Sequence, residues 1–376
     1  MQQQQRRLDQ DYMRLALEQA SQAVALSPPN PAVGCVLVAA DGAVIGAGHT
    51  QAVGGAHAEI MALRDASARG LPVRGATAYV TLEPCAHHGR TPPCCEALAN
   101  AGIARVVASL QDPNPQVAGR GLAHLRAAGV AVDVGLCADQ ARELNLGFLS
   151  RMRRGRPWVR LKVACSLDGR TALPNGASQW ITGEAARADG HLWRARAGAV
   201  LTGIGTVLRD NPRLNVRLRQ QAARRQPPLV VADSRLQLPQ QAALWSVPER
   251  PVWVYTTSTD ARAIQRLVDR GARVAALPNA NGQVDLPALL RDLAGREVNE
   301  LHVEAGARLN GALLRAGLVD ELLVYQAPLL MGEGAAMAAL GPWNAMAQTL
   351  RFAWHSMERL GQDVRLLARL TPADSL

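Results

Sequence analysis

The sequence predicts an α/β protein made of two layered domains in tandem. Three observations carry this expectation. Short apolar strand patterns alternate with helical periodicity from the N-terminus to about residue 327. A chain of 376 residues holds two domains at roughly 100–200 residues each. The pattern breaks once at a basic, Gly- and Pro-containing stretch, Arg151-Met-Arg-Arg-Gly-Arg-Pro157. The expected domains are therefore residues 1–152 and 153–376.

Each element has its own signal. Residues 8–26 carry apolar positions at helical spacing and stop at Ser27-Pro-Pro. Residues 35–39 and 44–48 flank Asp41-Gly42, a hairpin turn signal. A helix runs from His57 to about Arg69, and strand 76–82 follows. A Cys/His loop then leads into a helix from about Cys94. Strand 105–110, helix 121–129, strand 130–135 and helix 138–151 complete the first half. In the second half, strands are expected at 158–165, 199–204, 229–234, 252–257, 273–277, 300–305 and 321–327. Helices are expected at 260–271, 285–295 and 308–317.

Bulk chemistry narrows the function. The first residues lack an apolar leader pattern, and no stretch is apolar enough to span a membrane. Six cysteines are too few for a disulfide scaffold of this length. A cytoplasmic protein with no membrane partner is expected, with Cys35, Cys137 and Cys165 as small buried hydrophobes. The net charge of +10 is uneven. Residues 1–150 hold 11 Arg against 12 acidic residues, whereas residues 151–376 hold 29 Arg and one Lys against 19. The first half thus has no bulk attraction for polyanions, and no nucleic-acid partner is expected for it. The second half suits phosphates, although the runs 151–156 and Arg224-Arg225 also read as a solvated linker and loop.

The chemistry concentrates in two short stretches. His57-Ala-Glu59 opens a helix, and Glu83-Pro-Cys85 follows a strand. Together they have the outline of a zinc-deaminase signature. Zinc takes one imidazole and two thiolates and keeps a fourth position for water, whose pKa falls toward about 7. A carboxylate that is not a ligand takes the water's proton, passes it to a ring nitrogen and helps ammonia leave, which suits Glu59. The spacing departs from Cys-x-x-Cys. The third residue after Cys85 is His88, and the next cysteines are Cys94 and Cys95. On the residues alone, the third ligand is Cys94 or His88, or the cluster is a structural zinc knot.

A longer run carries a resemblance. Thr81-Leu-Glu-Pro-Cys-Ala-His-His-Gly-Arg-Thr-Pro-Pro-Cys94, with Pro29-Asn-Pro-Ala-Val-Gly34, Gln111-Asp-Pro-Asn-Pro-Gln-Val-Ala-Gly-Arg-Gly121 and Leu161-Lys-Val-Ala-Cys-Ser-Leu-Asp-Gly-Arg170, resembles the RibD family of bifunctional riboflavin-biosynthesis deaminase/reductases. The likeness covers nearly the whole chain. It implies a cytidine-deaminase-like domain followed by a dihydrofolate-reductase-like domain. It implies one zinc per chain on His57, Cys85 and Cys94, with Glu59 as base. The wide cysteine loop then shapes a pocket for a phosphoribosylated pyrimidine. The histidine that relatives carry near position 50 is here His49, followed by Thr50.

The second half needs a separate account. Gly203-Ile-Gly205 follows a strand but lacks the rest of a dinucleotide fingerprint, so a standard Rossmann domain is not expected. Glu304-Ala-Gly306 ends a strand before a helix and offers backbone N–H groups to a phosphate. Arg194 and Arg217 are candidates for a bidentate phosphate clamp. The resemblance implies a reductase that uses NADPH to reduce a ribosyl group to ribityl. By motif it implies cofactor contacts at Ala164, Trp180, Thr206, Asp210, Ser234, Gly306, Ala307, Arg308, Leu309, Asn310 and Gly311. It implies substrate contacts at Ser178, Arg194, Leu214, Arg217 and Glu304. Lys162 stands apart, as the one lysine among forty arginines. Strand alternation puts it on one face with Arg160, opposite Leu161 and Val163. It is expected to touch the ribose chain or its phosphate at the hydride-transfer site, because a compact ammonium fits where a guanidinium needs more room. The whole is expected to act on a small pyrimidine ribosyl phosphate as a homo-oligomer. The alternative is a nucleic-acid-editing zinc deaminase with an accessory basic domain.

Overall fold

The computed structural model describes residues 2–86, 93–115, 117–218 and 226–370. His88, Arg224 and Arg225 lie outside the described residues. The chain forms two compact units divided between Gly155 and Arg156.

The first unit runs α1 (Gln2–Ala23), β1 (Gly34–Val38), β2 (Val44–His49), α2 (Ala58–Ala68), β3 (Thr77–Val80), α3 (Cys94–Asn100), β4 (Arg105–Ala108), α4 (Arg120–Ala127), β5 (Ala131–Val134) and α5 (Ala138–Arg154). Its sheet has the order β2-β1-β3-β4-β5. The strands β2, β1 and β3 are antiparallel, as the hairpin signal requires, and β3, β4 and β5 are parallel. Glycine decides how close α2 comes. A Cβ at Gly46 would sit 2.3 Å from the carbonyl oxygen of Ala62, and one at Gly48 would sit 2.5 Å from Cβ of Met61. The helix α2, which begins after His57, therefore lies directly on β2 through Met61 and Ala62. The helix α5 continues through Arg151 to Arg154 and ends at Gly155, whose φ of 64° suits a helix stop. The expected boundary after residue 152 thus falls inside its last turn.

The second unit runs β6 (Trp158–Cys165), β7 (Arg170–Ala172), α6 (Glu184–Arg196), β8 (Ala199–Gly203), α7 (Ile204–Asp210), β9 (Leu229–Ala232), β10 (Val252–Thr256), α8 (Ala261–Asp269), β11 (Ala272–Ala276), α9 (Leu286–Gly295), β12 (Glu300–Val303), α10 (Ala307–Arg315), β13 (Glu321–Gln326), β14 (Ala335–Ala336), β15 (Phe352–Leu360) and β16 (Asp363–Leu370). Nine strands form one sheet in the order β11-β10-β9-β8-β12-β6-β13-β16-β15. It is parallel from β11 to β13, and β16 and β15 close it as an antiparallel edge. The α/β class is borne out. Alternation in β6 holds as well. Val159, Leu161, Val163 and Cys165 enter the apolar core, while Arg160 and Lys162 share the other face.

That other face carries a buried charge cluster beside an apolar patch of Ala186, Leu323, Tyr325 and Leu367. Arg160 is 1% exposed. It bonds Glu300 at 2.7 Å and also Glu321, one residue on each neighbouring strand. Arg196 on α6 pairs Glu300 at 2.8 Å, and Arg369 on β16 pairs Glu321 at 2.9 Å. The Arg160 guanidinium also lies 4.3 Å over the Trp193 ring. The helix α6 meets this face with the small buried residues Ala186 and Gly190 and with half-buried Trp193, Arg194 and Arg196, so it carries no leucine stripe.

Candidate functional site

In the first unit, His57 caps α2 with an extended backbone and Glu59 falls in its first turn. Cys94 is the first residue of α3. Its backbone N–H donates to Cys85 Sγ at 3.3 Å. The Sγ atoms of Cys94 and Cys85 lie 3.4 Å and 3.6 Å from His57 Nδ1. The three donor atoms lie within 4.8 Å of one another. A tetrahedral zinc with ordinary Zn–N and Zn–S bonds demands an N···S separation of about 3.6 Å. The donor set therefore has the right spacing and the right chemistry for zinc. Cys95 points instead into the apolar core, and burial raises its thiol to about 11.

Glu59 is 4% exposed. Burial first, and the charge of Cys85 next, raise its carboxyl to about 7. The hydrogen bonds from Cys94 and the neighbouring His57 lower Cys85, which favours a thiolate there. Thr50, beside the displaced His49, is buried and accepts the Val33 N–H at 3.3 Å.

Glu83 sits two residues before Cys85 and had no assigned task in the sequence reading. Its buried carboxylate accepts backbone N–H bonds from Asp112 at 3.1 Å, Gly119 at 2.9 Å, Gly121 at 2.9 Å and Leu122 at 3.3 Å. Gly121 must be glycine here, because a Cβ would lie 1.9 Å from the Pro84 carbonyl oxygen. The Gln111–Gly121 motif, apart from Gln116, which is outside the described residues, is thereby fastened to the strand end that carries Cys85.

In the second unit, the candidates gather at the C-terminal ends of adjacent parallel strands, where ligands of open α/β sheets bind. Glu304 follows β12 and takes a forked bond from Arg194, at 2.6 Å and 2.9 Å. Lys162 Nζ is 3.9 Å from the same carboxylate, and His302 Nε2 is 3.4 Å from it. Burial opposes the Glu304 charge, but Arg194, His302 and Lys162 hold its carboxyl well below the usual range. Burial lowers Lys162. Arg217 donates its backbone N–H to His191 Nδ1 at 3.3 Å and its guanidinium to Asn215 at 2.7 Å. Lys162, Arg194, Arg217 and Glu304 are thus brought together, with Leu214 next to Asn215. The fork of Arg194 is engaged by Glu304, so a phosphate clamp made from that fork does not match this arrangement. Ser178 is half-buried.

The expected cofactor residues divide. A Cβ at Gly306 would lie 3.9 Å from Thr206 Oγ1, and one at Gly203 would lie 3.4 Å from Leu309. Thr206 on α7 and Gly203 before it therefore lie against the turn that holds Gly306 and Leu309, while Asp210, at the end of α7, is exposed. Gly306 caps α10 without a side-chain bond, so the first-turn N–H groups remain open to a phosphate. Asn310 instead donates to the Met337 carbonyl at 2.8 Å, and a Cβ at Gly311 would lie 2.2 Å from the Ala339 carbonyl oxygen. Both residues thus pack against the 337–339 segment, with the Asn310 Oδ1 left without a partner among the described residues. Ser234 lies beyond β9, beside the end of β8, and Ala164 lies near the end of β6. Trp180 is 68% exposed under the Arg187 guanidinium and lines a groove with Ala327, Pro328 and Leu329. His191 and His302 were not anticipated. The alternation Glu300-Leu-His-Val-Glu304, with charge on every second residue, was the signal for His302.

Fold and donor set together define a class: a zinc deaminase joined to a second α/β enzyme domain. Residues 6–110 match the cytidine and deoxycytidylate deaminase zinc-binding region, and residues 157–366 match the RibD C-terminal domain. The riboflavin biosynthesis protein RibD of Escherichia coli strain K12 is 46% identical, over 95% of this chain and 98% of its own. That of Aquifex aeolicus is 40% identical, over 96% and 98%. The solved RibD of Acinetobacter baumannii superposes with a TM-score of 0.89 at 44% identity, covering 98% of this chain and all of its own (100%). A Thermotoga maritima structure, described as a diaminohydroxyphosphoribosylaminopyrimidine deaminase/5-amino-6-(5-phosphoribosylamino)uracil reductase, gives 0.87 at 32% identity, over 97% and 99%.

The chain belongs to the RibD family. It is a bifunctional deaminase and reductase of riboflavin biosynthesis, with a zinc-binding deaminase domain and an NADPH-using reductase domain. It acts on a small molecule, and no helix among the described residues is long and apolar enough to cross a membrane. The nucleic-acid-editing alternative finds no support.

Proposed function

We propose that the first domain removes an amino group hydrolytically from 2,5-diamino-6-(ribosylamino)-4(3H)-pyrimidinone 5'-phosphate, and that the second reduces the ribosyl group of the product to ribityl. We assign the two steps to residues 1–152 and 153–376, with the junction at the end of α5. The observation that carries the reading is the donor triangle of His57, Cys85 and Cys94 beside buried Glu59.

His57, Cys85 and Cys94 would hold one zinc ion. Bound zinc supplies a water acidified toward about pH 7 as nucleophile. Glu59, buried beside the donor set and not part of it, would carry protons between the nucleophilic water, the ring nitrogen and the departing ammonia. In the second domain, NADPH supplies the hydride. Lys162 directs its ammonium at the ribose chain or phosphate, held by Glu304. Arg194, Arg217, Leu214 and Ser178 orient the pyrimidine phosphate with them. Thr206, Asp210, Ser234, Ala164, Trp180 and the Gly306–Leu309 turn receive the cofactor, with Asn310 and Gly311 securing that turn.

Two coarser expectations join this reading. Six free cysteines suit a reducing cytoplasm. Exposed Trp354 and Met357 on the edge strand β15 suit a homo-oligomer, since an open apolar edge is a pairing surface. Mass spectrometry of the diaminopyrimidine phosphate tests the main claim. Without NADPH, the amino group should be exchanged for oxygen and no hydrogen gained. With NADPH, the product should also gain a hydride and a proton. Reduction without prior deamination, or no change in either sample, would overturn the reading.

A further inference from the structure

Arg250 is a buried cation for which the chemistry above has no use. It is 7% exposed. Its Nη1 donates to the carbonyls of Arg213 at 2.7 Å and Leu214 at 3.1 Å, and its Nη2 donates to that of Leu244 at 2.7 Å. Nε has no partner. No carboxylate pairs with it among the described residues, and the charged neighbour that acts on it is another cation, Arg194. Three carbonyls engage its two Nη groups but leave Nε unpaired and the charge uncompensated, which is costly in a buried place.

The carbonyls it holds belong to an unusual segment. Residues 211–217 have no regular secondary structure. Leu214 has φ of 50°, in the left-handed region that a leucine rarely adopts. Side chains from elsewhere fix almost every step. Asn211 accepts the Ala243 N–H at 2.7 Å. Arg194 takes the Asn215 carbonyl at 2.6 Å, and Gln226 pairs both backbone groups of Val216 at 2.8 Å and 3.1 Å. His191 takes the Arg217 N–H at 3.3 Å. Arg250 is placed under the bend itself.

We propose that Arg250 is a positioning residue of the reductase site: its fork holds the Leu214 bend, and its unpaired charge favours an anionic substrate in the cradle above. This rests on the reading that Leu214 and Arg217 face the pyrimidine phosphate. Arg250 touches no substrate atom itself. A lysine would keep the charge but offers a point where three carbonyls need a fork.

Steady-state kinetics of Arg250→Lys and Arg217→Ala in the full-length zinc enzyme test it, with NADPH binding measured by fluorescence. In Arg250→Lys, the KM for the deaminated pyrimidine phosphate should rise at least about tenfold, a shift in substrate binding alone. Reductase kcat should change less than about twofold, with NADPH affinity and deamination unchanged. An unchanged KM in Arg250→Lys, with a raised KM in Arg217→Ala, overturns the role of Arg250. An unchanged KM in Arg217→Ala overturns the substrate reading of the segment instead. Should Arg250→Lys lose NADPH binding through misfolding, hydrogen exchange of the wild type decides. The Val216 and Arg217 amides should be protected before substrate is added. Amides that gain protection only with substrate would refute a preformed cradle.

Discussion

Cys94 and Cys95 are adjacent on a helix, so their side chains point about 100° apart. That angle sends Cys94 to His57 and Cys95 into the core. Cys94→Ser should therefore release the zinc, as measured by metal content after gel filtration, while Cys95→Ser should keep one zinc per chain. Zinc lost from Cys95→Ser and retained in Cys94→Ser would reverse the assignment. Glu59→Gln should keep zinc, since Glu59 is outside the donor set, and should lose deamination, since an amide does not carry a proton. Reduction of supplied deaminated substrate should continue in that variant. Lys162 makes a sharper case. Its ammonium lies 3.9 Å from Glu304 and 5.8 Å from the centre of the Tyr325 ring, with Arg194 already on the same carboxylate. A second guanidinium would compete for one carboxylate and fill the space meant for substrate. Lys162→Arg should lower reductase kcat/KM at least about tenfold, or about 1.4 kcal/mol of transition-state binding, with deamination unchanged. Wild-type reductase kinetics would make the lysine a structural partner of Glu304 only.

At the scale of elements, one carboxylate joins a strand end to a helix start. Glu83 receives two N–H bonds on each oxygen. Glu83→Gln turns one oxygen into an NH2 group that faces two donors. Hydrogen bonds to a charged group contribute about 1.5–3 kcal/mol each, so a loss of a few kcal/mol is expected. For a unit of this size, that lowers the first unit's thermal midpoint by roughly 4 °C or more. Deamination should weaken with it and reduction should not; a midpoint equal to wild type would remove the latch argument. The same scale explains what was legible in the sequence. Val159, Leu161 and Val163 alternate with Arg160 and Lys162, so β6 was readable in place and in facing. The helix α6 was missed because its buried positions are the small residues Ala186 and Gly190, with half-buried Trp193, Arg194 and Arg196 beside them, and no leucine stripe marks it. The β15–β16 hairpin was missed because β15 is exposed along most of its length. Metal chemistry was legible in His57, Glu59 and Cys85, but spacing left the third donor open between Cys94 and His88. Arg250 and His191 were not legible at all. The contacts that tie them to the Leu214 segment are backbone groups 36 and 26 residues away, and no local pattern encodes such a pairing.

At the scale of the molecule, two units coexist with two charge regimes. The first unit has an apolar core on its five strands, and the second has three separate clusters on its nine. The arginine surplus belongs to the second half, where 30 basic residues face 19 acidic ones, against 11 and 12 in residues 1–150. Some of that surplus is spent inside, as Arg160, Arg194, Arg196 and Arg369 neutralise Glu300, Glu304 and Glu321. The remainder acts outward, on the half that must gather two anions, a phosphorylated substrate and NADPH. Such a field raises encounter rates and local ligand concentration, and salt screens it within about 10 Å at 0.1 M. The first half, near neutral, has little field to lose. Raising sodium chloride from about 0.02 M to about 0.5 M should lower reductase kcat/KM at least about tenfold, while deaminase kcat/KM changes less than about threefold. Both half-reactions are measured on the same full-length enzyme, with deaminated substrate supplied for the second. A viscosity or ionic effect on the assay would move both together. Equal salt slopes would therefore show that the arginine surplus is internal scaffolding and does not steer ligands. A slope confined to the reductase, retained when NADPH is saturating, would assign the steering to the pyrimidine phosphate itself.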